Sequence, residues 1–238
     1  MAWWSRRTRA RSEAPTLSSR ETAAGALRVD LADLTPAPDV YLGQCAALHL
    51  GFVELLSEGI RTAPRPADKD ALARAAAIVL DRYRAITAEL ERLHLDRSDA
   101  LQPHLASVEE FESRTRGNAW YEQVASAHVT IGFLTDFWMR LAGGLPRELG
   151  ERVVDALGAG DLGEPLHRIL ERAIAAEPRL ASRLALWSRR LVGDTMLQAR
   201  SALVRHDDRS KDEAQIEPVF TELIAEHTRR MDKLGLTA

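Results

Sequence analysis

Leu72, Ala76, Val79, Tyr83, Ile86, Leu90 and Leu93 follow one another at alternating steps of four and three residues. Only an α-helix places such a series on one face, and that face needs partners of similar length to cover it. Other windows repeat the period, each fenced by proline or glycine. Residues 40–60 carry Tyr41, Leu48, Phe52 and Leu55 behind Pro36 and Pro38. Residues 119–142 carry Trp120, Val124, Ile131 and Trp138 between Gly117 and the Gly143-Gly144 pair. Residues 178–204 begin at Pro178, and 217–233 stop before Gly235. Shorter helical windows fall at 147–157 and 165–176. No window alternates with period two, so the chain reads as all-α, with a helix at 68–94 as its clearest element.

The composition agrees: Ala, Leu, Arg and Glu dominate and aromatics are 5%, a mixture of strong helix formers. At 238 residues one core suffices, and residues 37–238 read as a single domain. Residues 1–36 read as a flexible basic tail with Arg6, Arg7, Arg9 and Arg11, of which 1–30 are expected to be dispensable for folding. Trp3 and Trp4 beside those arginines suit an anionic membrane or RNA, but a net charge of -3 gives no basic field to recruit nucleic acid. Cys45 is the lone cysteine, which excludes an intrachain disulfide and any cysteine-rich metal site; a reducing cytoplasm is the expected compartment. No run of eighteen apolar residues predicts a membrane span, and a homodimer is left open.

Connectivity narrows the architecture. The link after 40–60 is short, whereas 95–118, containing Pro103, is a long connection with room for a short helix at 107–114. Four long helices with one long crossover is ferritin-like wiring, here with extra C-terminal helices.

The chemistry sits on polar breaks in the stripes. In 178–204, Leu180, Leu184, Trp187 and Leu191 are followed at the same spacing by Asp194 and Gln198, predicting inward polar groups that need partners. Arg82 or Arg84 is the expected partner of Asp194. Gln44, Asp81, Arg82, Arg84, His128 and Gln198 form the predicted buried polar network. Glu54, Asp136 and Asp194 are the candidate metal positions, an oxygen-rich set that suits iron or manganese without specificity. Two Glu-x-x-His pairs exist, Glu91/His94 and Glu164/His167, one at a helix end and one at a helix start, neither where a central site would reach. Cys45 and His49, one turn apart, read as packing. Phosphate-loop, nucleophile-elbow and dinucleotide signatures are absent from the sequence.

Several blocks are similar to a known family. Tyr41-Leu42-Gly43-Gln44, Phe52-Val53-Glu54, Asp136-Phe137, the run from Leu184 to Asp194, and His227 to Met231 followed by Leu234-Gly235-Leu236 resemble actinobacterial ferritin-like proteins. Those are described as similar to the di-iron hydroxylase that oxidises isopentenyl-adenosine in tRNA. The resemblance spans about residues 38–236. It implies a ferritin-like bundle, iron as the cofactor, and Glu54, Asp136 and Asp194 at carboxylate positions. The hydroxylases carry Glu-x-x-His in the second helix, where this chain has Asp81-Arg82-Tyr83-Arg84, and Leu197 stands three residues after Asp194. The implied ligand set is therefore incomplete. One reading is a related bundle with a non-catalytic binding or scaffold role. Another is an active metal-dependent oxygenase on tRNA or a small molecule, and a third is a helical protein alike in architecture only.

Overall fold

The computed structural model describes residues 31–236, and every regular element among them is helical. The helices are α1 (Pro38–Thr62), α2 (Pro66–Arg92), α3 (Arg97–Thr115), α4 (Trp120–Leu141), α5 (Arg147–Gly158), α6 (Gly163–Ala176), α7 (Pro178–Ser201) and α8 (Arg209–Lys233). The predicted long helices hold within a few residues, as proline at the first turn of α1, α2 and α7 would dictate.

At the centre α1 packs on α4. Around this pair, α2 and α3 lie on α1, while α6, α7 and α8 lie on α4. A helix covered on most sides should be apolar almost all round. α1 is: its mean hydropathy of 1.3 over eighteen residues is high enough, by length and composition, to cross a membrane. Its apolar faces are instead spent on neighbours, with Tyr41, Leu42, Cys45, Ala46, Leu48 and Phe52 all buried. α6 packs against both α2 and α7, so those two helices are bridged by a third element.

The crossover departs most from expectation. Instead of a loop with a short helix, 95–118 holds the 19-residue α3, which continues through Pro103. Proline costs a helix a hydrogen bond and a steric clash. Here packing on α1 and α7 outweighs that local penalty, and Asp96 caps the helix by accepting from the Asp99 N–H at 3.0 Å. The same override extends α8 back to Arg209, into the charged stretch 205–214, and across Pro218. Asp208 caps it, accepting from the N–H groups of Ser210 and Lys211.

The tail boundary also moves. Leu31 and Leu34 are buried, Thr35 Oγ1 donates to the Leu141 carbonyl at 3.0 Å, and the Val204 N–H donates to the Leu34 carbonyl. Residues 31–36 are thus part of the packed domain, while Trp3, Trp4 and the arginines of the tail lie outside the described residues.

Gly43 sets how closely α1 and α3 approach. A Cβ there would stand 2.3 Å from the Ala100 carbonyl oxygen. The obstacle is backbone, so the helices must part. Gly43→Ala is expected to cost about 2–3 kcal/mol, despite alanine's better helix propensity, and denaturant melts will check it. A stabilised variant would mean that the two helices are not held this close.

Candidate functional site

The buried face of α7 is Leu180, Leu184, Ser188, Leu191, Thr195 and Ala199. It diverges from the predicted stripe after Leu184. Trp187, Asp194 and Gln198 stand on its flank and are only partly covered. Small residues made the difference: Ser188, Thr195 and Ala199 let α7 pack closely, and Thr195 Oγ1 bonds back to the Leu191 carbonyl at 2.7 Å. The flank faces α3, so Asp194 pairs with Arg114 at 3.6 Å and not with Arg82 or Arg84. Its carboxylate is 20% exposed. Asp194→Ala is therefore expected to cost about 1 kcal/mol or less in a denaturant melt, and a loss above 3 kcal/mol would require a deeper role.

The other candidate carboxylates are placed apart. Glu54 is exposed. It lines an open groove of about 400 Å³ with Glu58, Glu112, Arg116 and Gln123. Glu112 lies over Gly51, where a Cβ would come within 2.4 Å of Oε1. Burial, then the Glu54 charge, pushes the Glu112 carboxyl up to about 7. Asp136 is ion-paired with Arg230 of α8. Arg140, one turn further along α4, reaches Glu226 at 2.9 Å and Glu222 at 3.4 Å. Burial raises the Asp136 carboxyl and Glu226 adds to the rise, against the pull of Arg230. Three candidate ligands thus face three different neighbours.

The predicted polar network divides similarly. Arg82 is buried, donating to the carbonyls of Ala159 (3.1 and 3.2 Å) and Gly160 (3.3 Å) and to Thr135 Oγ1 (3.4 Å). Asp81 and Arg84 are exposed and pair with each other, a correction to their assignment as buried. Gln44 and Gln198 line a cavity of about 160 Å³ between α1, α3 and α7, with His104, Ser107, Trp138 and Ser201. Gln44 Oε1 is buried without a partner. His128 is buried, and neither ring nitrogen has a partner.

The Glu-x-x-His pairs serve helix ends. His94 follows α2 with φ of 58°, and Glu91 turns to Arg97. Glu164 pairs with Arg168. Cys45 and His49 are packed, Sγ 3.7 Å from Nδ1. Burial pushes the thiol up and the imidazole down to about 4, opposite to a reactive thiolate pair.

Of the buried acids, Asp212 accepts from His206, and the other three have arginines from a second helix. Asp68 is fully buried between Arg65 and Arg172, each at 2.8 Å. Glu89 joins Arg92 and Arg152, and Glu122 caps α4 while meeting Arg183 at 3.2 Å. Sequence reasoning also missed the α8 face carrying His227 and Arg230. Its trace was visible as His128, Gly132 and Asp136 at steps of four on α4, with the glycine admitting a large side chain from outside. Among the described residues no three or more His, Cys, Asp or Glu side chains are grouped to hold a metal ion.

A family model described as a ferritin-like domain of actinomycetes matches residues 39–211. The match ends just inside α8. No curated protein matches the chain.

Proposed function

The chain belongs to the ferritin-like domain family of actinomycetes, and from that premise we propose a binding or scaffold bundle related to the di-iron tRNA hydroxylases but working without their metal. One observation carries this reading. The positions that would supply carboxylate ligands are engaged separately, Asp136 with Arg230, Asp194 with Arg114, and Glu54 in the groove beside Glu112. A di-iron centre needs its carboxylates and imidazoles to converge between the helices, and these residues do not fit that group. A guanidinium beside a carboxylate also takes the place, electrostatically, of the cation. The binding role is supported by the Gln44–Gln198 cavity, whose neutral amide, hydroxyl and imidazole groups suit a small polar molecule.

The test is metal analysis of protein purified without chelator from iron-supplemented culture. Well under a tenth of an iron per chain is expected, with no absorption band of an oxo-bridged pair. About two irons per chain would overturn the proposal and restore the hydroxylase reading.

A further inference from the structure

A group of unpartnered polar atoms is gathered between α4, α6 and α8. His128 of α4 is 5% exposed and His227 of α8 is 2% exposed, and both nitrogens of each ring lack a hydrogen-bond partner. Arg230 gives Nη1 to Asp136, yet its Nε and Nη2 are buried and unpartnered. His167 of α6 stands with its ring 6.2 Å from that of His128. The charge of Arg230 bears on both buried imidazoles, so the groups share one neighbourhood. Gly132 lies against Arg230: a Cβ there would come within 3.2 Å of Nε and 3.4 Å of Cζ.

Buried polar groups are nearly always hydrogen-bonded, and a set of exceptions in one place asks for an occupant. Its chemistry follows from the donors. Guanidinium N–H groups only donate, and each neutral imidazole offers one N–H. Nε and Nη2 share one edge of the guanidinium plane, the edge that grips a carboxylate or phosphate with two parallel bonds. A cation there would meet the arginine's charge unfavourably.

We propose that Arg230, packed against Gly132, together with His128 and His227, binds a small oxyanion, either free or as the acidic end of a small molecule. Arg230 grips it with its Nε/Nη2 edge while Asp136 holds the other side of the guanidinium, and the two imidazoles donate to the remaining oxygens. This goes beyond the metal-free reading and stands without it, because none of the three binding side chains is a candidate metal position.

The test titrates sulfate, inorganic phosphate and acetate into the full-length protein by calorimetry, against sodium chloride at matched ionic strength, with melting temperature followed in parallel. One anion per chain is expected, with a dissociation constant in the millimolar range or tighter. Sulfate or phosphate identifies a free-oxyanion preference, whereas acetate alone identifies a carboxylate end; either supports the proposal. Gly132→Ala keeps every charge, and its Cβ presses on the Arg230 guanidinium; the side chain can yield and alanine favours helix, so the variant should still fold in chloride while the arginine's edge is displaced. His227→Leu removes an unsatisfied ring and should also fold. Both should lose at least tenfold in affinity. Sulfate and phosphate also stabilise proteins by exclusion from their surfaces, and that rise will remain in the variants, so only the difference counts. No binding to wild type, as water satisfying these atoms would give, overturns the proposal, and so does unchanged affinity in both variants. Iron measured in the same preparations separates the two ideas: iron with anion binding intact sinks the metal-free reading alone.

Discussion

Lowering the pH from 7 to 4 is expected to bring the protein to its unfolding midpoint between pH 4 and 5. His49, His128 and His227 are all buried. Burial, reinforced by nearby arginines, lowers them to about 4, 3 and 4, against an ordinary value near 6.5. The native state holds these rings neutral and the unfolded chain protonates them. Their contribution is therefore complete above pH 6.5 and lost as the pH falls. Each proton gained on unfolding is worth about 1.4 kcal/mol per pH unit. Glu112 works in the opposite sense: with its native value raised to about 7, it holds a proton that the unfolded chain releases above its ordinary range. Three protons gained less one lost leaves two, a slope of about 2–3 kcal/mol per pH unit between pH 4.5 and 6.5. Asp136, raised by burial, opposes the loss just above its ordinary range, while the carboxyls of Glu213 and Glu226, held down by their arginines, add to the loss only as the pH falls below their ordinary range. Over two pH units the loss is comparable with the whole stability of a typical domain. Urea melts at half-unit steps in chloride buffer will measure it, and His227→Leu should flatten the slope by about one proton. A stability that stays level from pH 6.5 to 5 would mean that solvent or a partner reaches these rings.

The two kinds of legible signal carried different amounts of the molecule. The stripe from Leu72 to Leu93 placed α2 because large apolar side chains dominate its buried face, and the prolines placed its start and those of α1 and α7. The same rule misread α7, since Ser188, Thr195 and Ala199 weigh little in a hydrophobic pattern while allowing the closest packing. α3 was hidden by Pro103 and by a face that becomes core only when α1 and α7 are both present. Buried charge was least legible. Asp68, Glu89 and Glu122 are tolerated inside because Arg172, Arg152 and Arg183 arrive from other helices, and no local spacing announces such a partner. Asp136 pairs with Arg230, which lies 94 residues away, so nothing in its own stretch of sequence announces that partner. The family resemblance reached the fold, whereas a ligand set is a convergence of side chains, and convergence is settled by rotation about each helix axis.

Arg82 is where a single substitution should reach furthest into the structure. It is 5% exposed on α2, and its guanidinium closes the end of α5 by donating to the Ala159 and Gly160 carbonyls, with Thr135 of α4 beneath. Gly160 has φ of 73° and lies against Ile78, so the loop it anchors has little freedom to find other donors. Positive charge at a helix C-terminus is also favoured by the helix dipole. Arg82→Met keeps most of the aliphatic volume and removes the desolvation cost of the charge. It leaves two carbonyls and a hydroxyl in a site built for a donor. Hydrogen bonds from a charged group contribute about 1.5–3 kcal/mol each, and stranded acceptors cost 1–3. Because the lost desolvation penalty offsets part of this, a net loss of about 3 kcal/mol is expected. Arg82→Lys should recover only part of it, since one ammonium cannot span the acceptors the fork reaches. A second readout separates this role from simple packing. The Arg82 charge helps to hold His49 below its ordinary range, so Arg82→Met should move the His49 titration upward, whereas Arg82→Lys should leave it nearly in place. If Arg82→Met costs under half a kcal/mol and His49 does not move, water must replace the guanidinium at the α5 terminus, and the arginine is not what ties α2 to α4 and α5.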